Sequence, residues 1–431
     1  MNVWSQLSAA QQKALLARPA QQDQSALQAR VQTIIDTVKE NGDKALLDFN
    51  QQFDNNQSEQ LIVPQSEIDN SPALLSTELK DAIDIAFNNI TKFHQAQLPV
   101  TKIIETQPGV CCELRYQPIQ AVGIYVPGGT APLPSSVLMQ GALAKLSGAK
   151  TIVLATPVKG DMAINPAILY AAKLCGVTTL IKSGGAGVIA AMAFGTDSVP
   201  KVNKIFGPGN SYVTMAKQLV AQQATGVAID MPAGPSEVLV IADEGANPAF
   251  VAADLLSQAE HGEDSQVVLV SNCETLINET KREIDAQLST LSRKAIAQKA
   301  LLNSPFILVD SIESAIKVSN QYGPEHLIVQ TRNAADIVDK FYNVGSMFVG
   351  DYTPESAGDY ASGTNHVLPT YGYSQVYSAL NLMDFFRTYT VQTISQSGLA
   401  QLANSILPLA EAEGLDAHAN AVSIRLQEAK L

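Results

Sequence analysis

The sequence predicts an α/β fold with two Rossmann-like parallel-sheet domains and small helical segments at the N- and C-terminal ends. Three observations lead to this prediction. Short apolar runs alternate with helical stretches along most of the chain, and several runs end in Gly-rich turns. Strands that alternate with helices form parallel sheets with helices on both faces. A chain of 431 residues, 46% of them hydrophobic, is also long enough for more than one buried core.

The N-terminal part is predicted to be helical. A short helix is expected around residues 3–16, followed by a polar break. Residues 26–55 are expected to form one long amphipathic helix and residues 76–94 another, because apolar side chains recur there at helical spacing. These segments carry no obvious chemistry, so we expect them to serve packing.

The first alternating stretch begins near Gln120. Three of its apolar runs are followed by the turns P-G-G, G-G-A-G and G-P-G-N. Backbone N–H groups in such turns can bind phosphate, and parallel sheets bind ligands at the carboxyl ends of their strands. Residues 185–190 also match the dinucleotide fingerprint G-x-G-x-x-A. The acidic residue expected about 20 positions later is missing, so a simple strand-to-helix turn is an equal alternative.

From Glu237 the alternation starts again, and it stops beyond Val367. The two alternating stretches could be distant repeats of one unit. The predicted parts are an N-terminal helical segment (1–25), a first α/β domain with the metal and catalytic residues (26–122 and 232–380), a second α/β domain on the cofactor side (123–231), and a C-terminal helical tail (381–431).

The overall charge restricts the partners of this chain. A net charge of −13 without any basic run argues against nucleic acid or an anionic membrane surface. No window approaches the ~18 apolar residues of a membrane span, and the N-terminus lacks the pattern of a signal peptide. We therefore expect a cytoplasmic protein. Its four cysteines form no C-x-x-C pair, which argues against a zinc knuckle or a disulfide framework.

Residues 254–265, D-L-L-S-Q-A-E-H-G-E-D-S, are predicted to be a helix that ends at Gly262. Gln258 and His261 are three residues apart, so they share one face of that helix. An oxygen and an imidazole on one face suit half of a metal site. A polar helix end, with the histidine near the negative end of the helix dipole, is the alternative.

Two further segments offer acid–base groups. Glu325 and His326 stand side by side at the start of a predicted strand, and both could face one cleft in separate roles, as two proton transfers require. The alternative is a turn with a solvated glutamate. Residues 351–366 form a long polar loop that contains Glu355, Asp359 and His366, and such loops are often functional.

The metal-binding candidates are far apart in the sequence. His261, Asp359 and His418 are suitable ligand types, and catalytic zinc ligands can be widely spaced. From chemistry alone, Glu260 or Glu263 is expected as the fourth ligand.

Several long motifs together give the chain a close resemblance to the histidinol dehydrogenase family. They are Q-A-E-H-G-E-D-S-Q, G-P-E-H-L, E-S-A-G-D-Y-A-S-G-T-N-H-V-L-P-T, A-V-G-I-Y-V-P-G-G, K-I-F-G-P-G-N, D-M-P-A-G-P-S-E-V and a glutamate five residues before a histidine in the tail. The resemblance extends from the N-terminal helices to the tail. It implies oxidation of L-histidinol through L-histidinal to L-histidine with two NAD, the last steps of histidine biosynthesis.

The resemblance also implies one zinc ion per subunit and a homodimer in which the tail of one subunit completes the site of the other. The implied site residues are the bases Glu325 and His326, the zinc ligands Gln258, His261, Asp359 and His418, the substrate-binding residues Ser236, His366 and Glu413 beside these, and the cofactor-contacting residues Tyr125, Asn210 and Gly187. Gln258 thus replaces the glutamate expected from chemistry alone.

One position departs from the family pattern. The family commonly has G-G-A-Q where this chain has G-G-A-G, so Gly187 lacks a side chain that contacts the cofactor. We expect weaker or differently placed NAD, with the chemistry retained. Two alternatives remain open: a non-catalytic zinc-dependent binder of small molecules, and a dehydrogenase of another amino alcohol. The pair of bases disfavours the first, and Ser236 with Glu413 disfavours the second.

Overall fold

The computed structural model describes residues 1–19, 24–128, 132–160, 163–224, 226–231 and 234–428. Gly129 of the predicted P-G-G turn therefore lies outside the described residues. No helix within these ranges is both long enough and apolar enough to cross a membrane.

The described residues form fourteen β-strands. In chain order they are β1 (Asn2–Val3), β2 (Lys102–Gln107), β3 (Val110–Pro118), β4 (Ala121–Tyr125), β5 (Thr151–Thr156), β6 (Thr179–Lys182), β7 (Lys204–Phe206), β8 (Ala228–Ile229), β9 (Glu237–Ala242), β10 (Gln266–Ser271), β11 (Phe306–Leu308), β12 (His326–Gln330), β13 (Ser346–Val349) and β14 (Phe386–Ile394).

They also form sixteen α-helices. These are α1 (Ala9–Leu15), α2 (Gln24–Asn41), α3 (Asp43–Asp54), α4 (Gln65–Asn70), α5 (Thr77–Gln95), α6 (Pro134–Ser147), α7 (Pro166–Leu174), α8 (Gly185–Phe194), α9 (Ser211–Gln222), α10 (Pro248–Ala259), α11 (Glu274–Leu288), α12 (Lys294–Leu302), α13 (Ile312–Tyr322), α14 (Glu355–Tyr360), α15 (Gln396–Ala412) and α16 (Asp416–Glu428).

Two parallel sheets confirm the predicted fold class. One has the order β6-β5-β4-β7-β8, and the other has the order β1-β11-β10-β9-β12-β13. In each sheet the first strand along the main run lies in the middle, the next two extend to one side, and the last two extend to the other. The short β1 is an addition at the edge of the six-stranded sheet. This shared order supports the idea of two related units, because the direction of winding reverses at the same point in both.

Helices cover both faces of each sheet. On the five-stranded sheet, α2, α3, α8 and α9 bury one face and α5, α6 and α7 the other. On the six-stranded sheet, α10, α11 and α12 bury one face and α13 the other. Strands β9 and β10 are buried along their whole length, which explains their continuous apolar sequence.

The packing of the N-terminal helices differs from the predicted grouping of residues 26–122 with residues 232–380. Helices α2 to α5 contribute side chains such as Val31, Leu46 and Ile83 to the cores of the five-stranded sheet. Amphipathic helices show which face they bury, but their sequence does not show which sheet receives it. The single helix expected for residues 26–55 is divided at Gly42, whose φ of +54° interrupts it between α2 and α3.

Two terminal segments contain strands where helices were predicted. The helix expected around residues 3–16 is only α1, and residues 2–3 instead pair with β11. In the tail, the segment F-R-T-Y-T-V-Q-T-I forms β14, which pairs with β3 in an antiparallel three-stranded sheet with β2. Its Thr, Tyr, Val and Ile side chains favour a strand. The predicted tail helices are α15 and α16.

Candidate active site

The candidate site lies at the amino ends of two neighbouring strands of the six-stranded sheet. Glu237 begins β9 and His326 begins β12, and His326 is in register with Val238. The carboxyl-terminal end of α10 reaches the same edge, because a helix that follows a parallel strand runs back along it. Glu325, His326 and Gln258 are therefore brought together from three separate segments.

The two backbone polar groups of Glu237 each bind one of the predicted bases. The backbone N–H of Glu237 donates to Glu325 Oε2 at 2.7 Å, and the carbonyl oxygen of Glu237 lies 3.0 Å from His326 Nδ1. Glu325 and His326 are both buried. The alternative of a solvated glutamate in a simple turn does not fit this arrangement.

The protonation of His326 follows from its neighbours. The carbonyl of Glu237 can only accept, so it favours a proton on Nδ1 and makes Nε2 the basic nitrogen of the neutral ring. His326 Nε2 lies 3.7 Å from Asp359 Oδ1. Burial opposes the charged ring, but the carboxylates of Glu355, Glu325 and Asp359 raise the pKa of His326 well above its usual value.

Burial is the main influence on the carboxyl group of Glu325. It raises the pKa of Glu325 to about 8, although the nearby His326 ring and the N–H of Glu237 oppose that shift. A carboxyl group with a pKa near neutrality can both take up and release a proton under physiological conditions.

Two of the predicted metal ligands are on α10 and the turn that ends it. The amide nitrogen of Gln258 lies 2.9 Å from His326 Nδ1, while its buried Oε1 has no hydrogen-bond partner within the described ranges. His261 follows the helix end and is exposed, and its pKa is lowered by desolvation despite the attraction of Asp359.

Asp359, on α14, is the acidic centre of the site. Burial alone would raise the pKa of Asp359, but the rings of His326, His366 and His261 lower it overall. Glu355, one turn earlier on the same helix, is 1% exposed, and neither of its carboxylate oxygens has a hydrogen-bond partner in the described part of the chain. His326, Glu355 and Asp359 bring ligand atoms within 4.8 Å of one another, so they form a second possible set of metal ligands.

His366 connects the two sheets. Its Nδ1 lies 2.9 Å from the backbone oxygen of Asp359, and its Nε2 lies 3.3 Å from Ser136 Oγ at the start of α6. The neighbouring Asn365 donates to the backbone oxygen of Met139 in the same helix. The carboxyl edge of the five-stranded sheet thus faces the acid–base cluster.

The predicted cofactor contacts lie around that carboxyl edge. Tyr125 ends β4 and its hydroxyl accepts from the N–H of Gly185 at 3.3 Å. Asn210 is exposed and caps α9, with its Oδ1 accepting from the N–H groups of Tyr212 and Val213. Strands β4 and β7 are the point where the winding of the sheet reverses, which is where such sheets bind ligands.

Gly187 is buried in α8 and faces protein rather than solvent. A Cβ atom at this position would lie 3.0 Å from Phe49 Cδ2 and 3.4 Å from Leu46 Cδ2. A Cβ atom at residue 187 therefore requires the Phe49 side chain of α3 to shift by a few tenths of an ångström.

The remaining predicted residues are less closely associated with the cluster. Ser236 is half-buried and directly precedes β9. Glu413 and His418 are exposed at the end of α15 and in α16. Glu263, proposed from chemistry as a ligand, lies on the surface, where it forms an ion pair with Lys299 at 2.6 Å.

The sequence did not identify two residues that organise the site. Glu355 was noted only as part of a polar loop, and Glu237 was noted only as the start of a strand. A carboxylate directly before an apolar run was the available signal for Glu237. No local pattern shows that it is buried.

The comparisons with known proteins agree with one another. A sequence profile described as histidinol dehydrogenase matches residues 16–426. The chain is 68% identical over 427 residues to a histidinol dehydrogenase of Pseudoalteromonas translucida, with 99% of each chain covered. It is 54% identical to one of Vibrio parahaemolyticus, covering 99% of this chain and 98% of that one.

A solved structure extends the comparison to the fold. The crystal structure of histidinol dehydrogenase from Elizabethkingia anophelis matches with a TM-score of 0.94 and 49% identity. The match covers 99% of this chain and 98% of that one. The similarity therefore includes both sheets and the terminal segments.

Proposed function

Because this chain belongs to the histidinol dehydrogenase family, we propose that its buried Glu325–His326 pair supplies the bases for that family's reaction. The chain is an NAD-dependent oxidoreductase that converts L-histidinol through L-histidinal to L-histidine, the last steps of histidine biosynthesis. Zinc and NAD are its cofactors. The observation that carries the residue assignment is the contact of both bases with the backbone of Glu237.

The donor atoms of the site fit zinc. Gln258 Oε1 is buried and has no hydrogen-bond partner among the described residues, and the side chains of His261 and Asp359 offer nitrogen and oxygen donors. These are donor types that zinc accepts. We propose Gln258, His261, Asp359 and the partner subunit's His418 as the ligands, which leaves His326 as a base. The cluster of His326, Glu355 and Asp359 is the competing assignment.

When bound, zinc holds the substrate's nitrogen atoms without taking part in redox chemistry, and NAD accepts hydride. His326 takes the hydroxyl proton at Nε2 as hydride leaves the alcohol carbon, which gives the aldehyde. Glu325 then takes a proton from the water that adds to the aldehyde, while His326 returns its proton to the aldehyde oxygen, which gives the hydrate and leaves Nε2 free again. His326 takes a hydroxyl proton again as the second hydride leaves the hydrate, which gives the carboxylic acid.

The remaining residues are assigned to binding. Ser236 and His366 hold polar groups of L-histidinol, together with the partner subunit's Glu413. NAD lies at the carboxyl edge of the five-stranded sheet near Tyr125 and Asn210, beside the segment that contains Gly187. These assignments are supported by the positions of the residues around the edge where the two sheets face each other.

The dimer is part of the proposal. In the described chain, Glu413 and His418 are exposed, although their residue types suit a polar site. A second copy of the chain supplies them if the tail of each subunit reaches the other. A cytoplasmic location and the boundaries given for the two α/β domains and the two terminal segments remain predictions.

The test is the stoichiometry of the reaction. Zinc-loaded protein is supplied with limiting L-histidinol and excess NAD, and the NADH formed per histidinol is measured by absorbance. Two equivalents are expected from the complete reaction. One equivalent would mean that the aldehyde escapes, and none, with L-histidinol still bound, would favour a zinc-dependent binder.

A further inference from the structure

Arg18 joins the N-terminal segment to the strand that carries the active site. Its Nε and Nη2 atoms donate to the two carboxylate oxygens of Glu237, at 2.5 and 2.9 Å. The side chains of Arg18 and Glu237 are 14% and 2% exposed, so the pair is largely shielded from water. Such a two-pronged contact fixes the relative orientation of both groups, because the guanidinium is planar.

The same guanidinium contacts the segment that leads into Glu325 and His326. Its Nη2 lies 2.9 Å from the carbonyl oxygen of Tyr322 and 3.2 Å from that of Gly323. Its Cζ lies 4.0 Å from the centre of the Tyr322 ring. Only Pro324 lies between Gly323 and the predicted bases Glu325 and His326.

The two segments that Arg18 contacts also contact each other at Glu325 and His326. The backbone N–H of Glu237 binds Glu325, and the backbone oxygen of Glu237 faces His326 Nδ1. The carboxylate of Glu237 also accepts from the N–H of Tyr371 at 2.8 Å. Arg18 therefore binds the side chain of the residue whose backbone contacts both Glu325 and His326.

We propose that Arg18 is a positioning residue for both bases of this enzyme. It contacts Glu237 and the 322–323 carbonyls, and it holds the β9 and β12 segments in register where Glu325 and His326 meet. The proposal rests on the proposed function, because it gives Arg18 a role through those two bases. It predicts that the N-terminal segment contributes to the rate of both oxidations.

The first test replaces Arg18 with lysine, which keeps the charge but cannot bind both carboxylate oxygens and the two carbonyls in one plane. The kcat of histidinol oxidation and the kcat of histidinal oxidation are measured separately on the purified zinc-loaded protein. We expect both to fall about ten- to hundredfold, since small displacements of reacting groups have effects of that size. The KM for histidinol and the zinc content should stay near those of the wild type.

A second variant separates positioning from folding. Replacing Arg18 alone with glutamine leaves the buried Glu237 unpaired, which destabilises the protein. In Arg18→Gln/Glu237→Gln no charge is left unpaired, so the chain should fold, yet the contacts that orient the bases are lost. We expect this double variant to unfold near the wild-type temperature and to keep the low kcat. Recovery of kcat together with stability would show a purely structural role and overturn the proposal.

Arg332→Lys is the matched control. Arg332 also pairs with carboxylates at the six-stranded sheet, those of Asp243 and Glu244, but it is 67% exposed and lies beyond the carboxyl end of β12. The kcat of the Arg332→Lys variant should equal that of the wild type for both oxidations. Wild-type kcat in Arg18→Lys would also overturn the proposal.

Glu325→Gln, measured in parallel, distinguishes a failure of the positioning role of Arg18 from a failure of the proposed role of Glu325 as a base. If Glu325→Gln is impaired and Arg18→Lys is fully active, only the positioning role is rejected. If Glu325→Gln is fully active, the proposed role of Glu325 as a base is rejected. The role of Arg18 in positioning Glu325 is then rejected with it.

Discussion

Gln258 Nε2 lies 2.9 Å from His326 Nδ1, so the proposed metal ligand and the proposed base are in direct contact. The oxygen and nitrogen atoms that remain, Gln258 Oε1 and His326 Nε2, are both buried and lack hydrogen-bond partners among the described residues. This one pair of side chains therefore offers both a ligand atom and a basic nitrogen. Metal binding and acid–base chemistry can be separated only by changing each residue in turn.

Zinc content is expected to depend on Gln258 and not on His326. Gln258→Leu removes the free oxygen, so zinc affinity should fall at least about tenfold, because even residues that only support a ligand have effects of this size. His326→Asn should keep zinc while losing activity. Metal content after dialysis against a weak chelator is the measurement. The reverse result would assign the metal to His326, Glu355 and Asp359.

Glu325→Gln is expected to stop the second oxidation selectively. The amide cannot take a proton from water, so histidinal oxidation should fall about 10²- to 10⁴-fold, the usual contribution of a general base. Oxidation of histidinol to the aldehyde should continue, since His326 performs that step. Rapid-mixing kinetics started from histidinol and from histidinal report the two steps. Equal losses in both would contradict this division of roles.

The metal-free protein is expected to lose stability as the pH rises from about 5 to above 8. Burial raises the pKa of Glu325 to about 8 in the folded chain, above its ordinary value of 4.5 in the unfolded chain. The folded state then holds a proton that the unfolded state has released. Stability from this group is complete below the ordinary value and is lost as the pH rises through about 8. Urea unfolding across this range is the measurement.

Glu325→Gln is the control for that pH dependence. Each pKa unit corresponds to about 1.4 kcal/mol, so the variant should show a clearly flatter curve than the wild type. Glu355 and Asp254, whose pKa values burial raises to about 8 and about 7, contribute with the same sign and keep the slope from vanishing. An unchanged slope in the variant would show that Glu325 does not titrate in this range.

Gly187 is expected to be coupled to Phe49. The Cβ of any residue at position 187 would lie 3.0 Å from the Phe49 ring, so Gly187→Gln should reduce the free energy of unfolding by about 1–3 kcal/mol, as overpacking does. In a Phe49→Ala background the same change should cost much less. Urea unfolding of the four proteins gives the coupling energy. Additive effects would mean that the Phe49 ring simply moves aside.

The sequence predicted the two sheets well because their signals are local. Continuous apolar strands such as those beginning at Glu237 and Gln266 are buried on both faces, and turns that contain glycine follow β4, β6 and β7 of the five-stranded sheet. The prediction from sequence was wrong where the structure or packing of a segment depends on another segment that is distant in the chain. The segment 386–394 is a strand because β3 lies beside it, and helices α2 to α5 cover the five-stranded sheet through contacts remote in sequence.

The sequence motifs predicted several residues that the structure brings together, but their roles stay predictions, and the residues that support them were missed. Gln258, Glu325 and Asp359 came from motifs, and the structure brings all three to His326. The roles of Arg18 and Glu237 could not be predicted, because their pairing joins residues 219 positions apart. From the sequence alone, an arginine in a polar segment is expected to be exposed to solvent. The carboxylate that pairs with Arg18 is known only from the structure.

Subunit complementation is expected to test whether the tail of one subunit completes the site of the other. His326→Ala damages the body of the site, and His418→Ala damages the tail, so each homodimer should be inactive. A mixed dimer contains one site with an intact body and the partner's intact tail. Refolding the two variants together in equal amounts should therefore restore about a quarter of wild-type activity, since random pairing makes half of the dimers mixed.

The control for this experiment combines two variants that are both changed in the body of the site. His326→Ala refolded with Glu325→Ala, both changed in the body, should give no recovery, because no site then has an intact body. His418 and Glu413 are exposed in the described chain, which is what a shared site requires of them before the dimer forms. Absence of recovery with His418→Ala, together with retained dimerisation in light scattering, would place the tail in its own subunit's site.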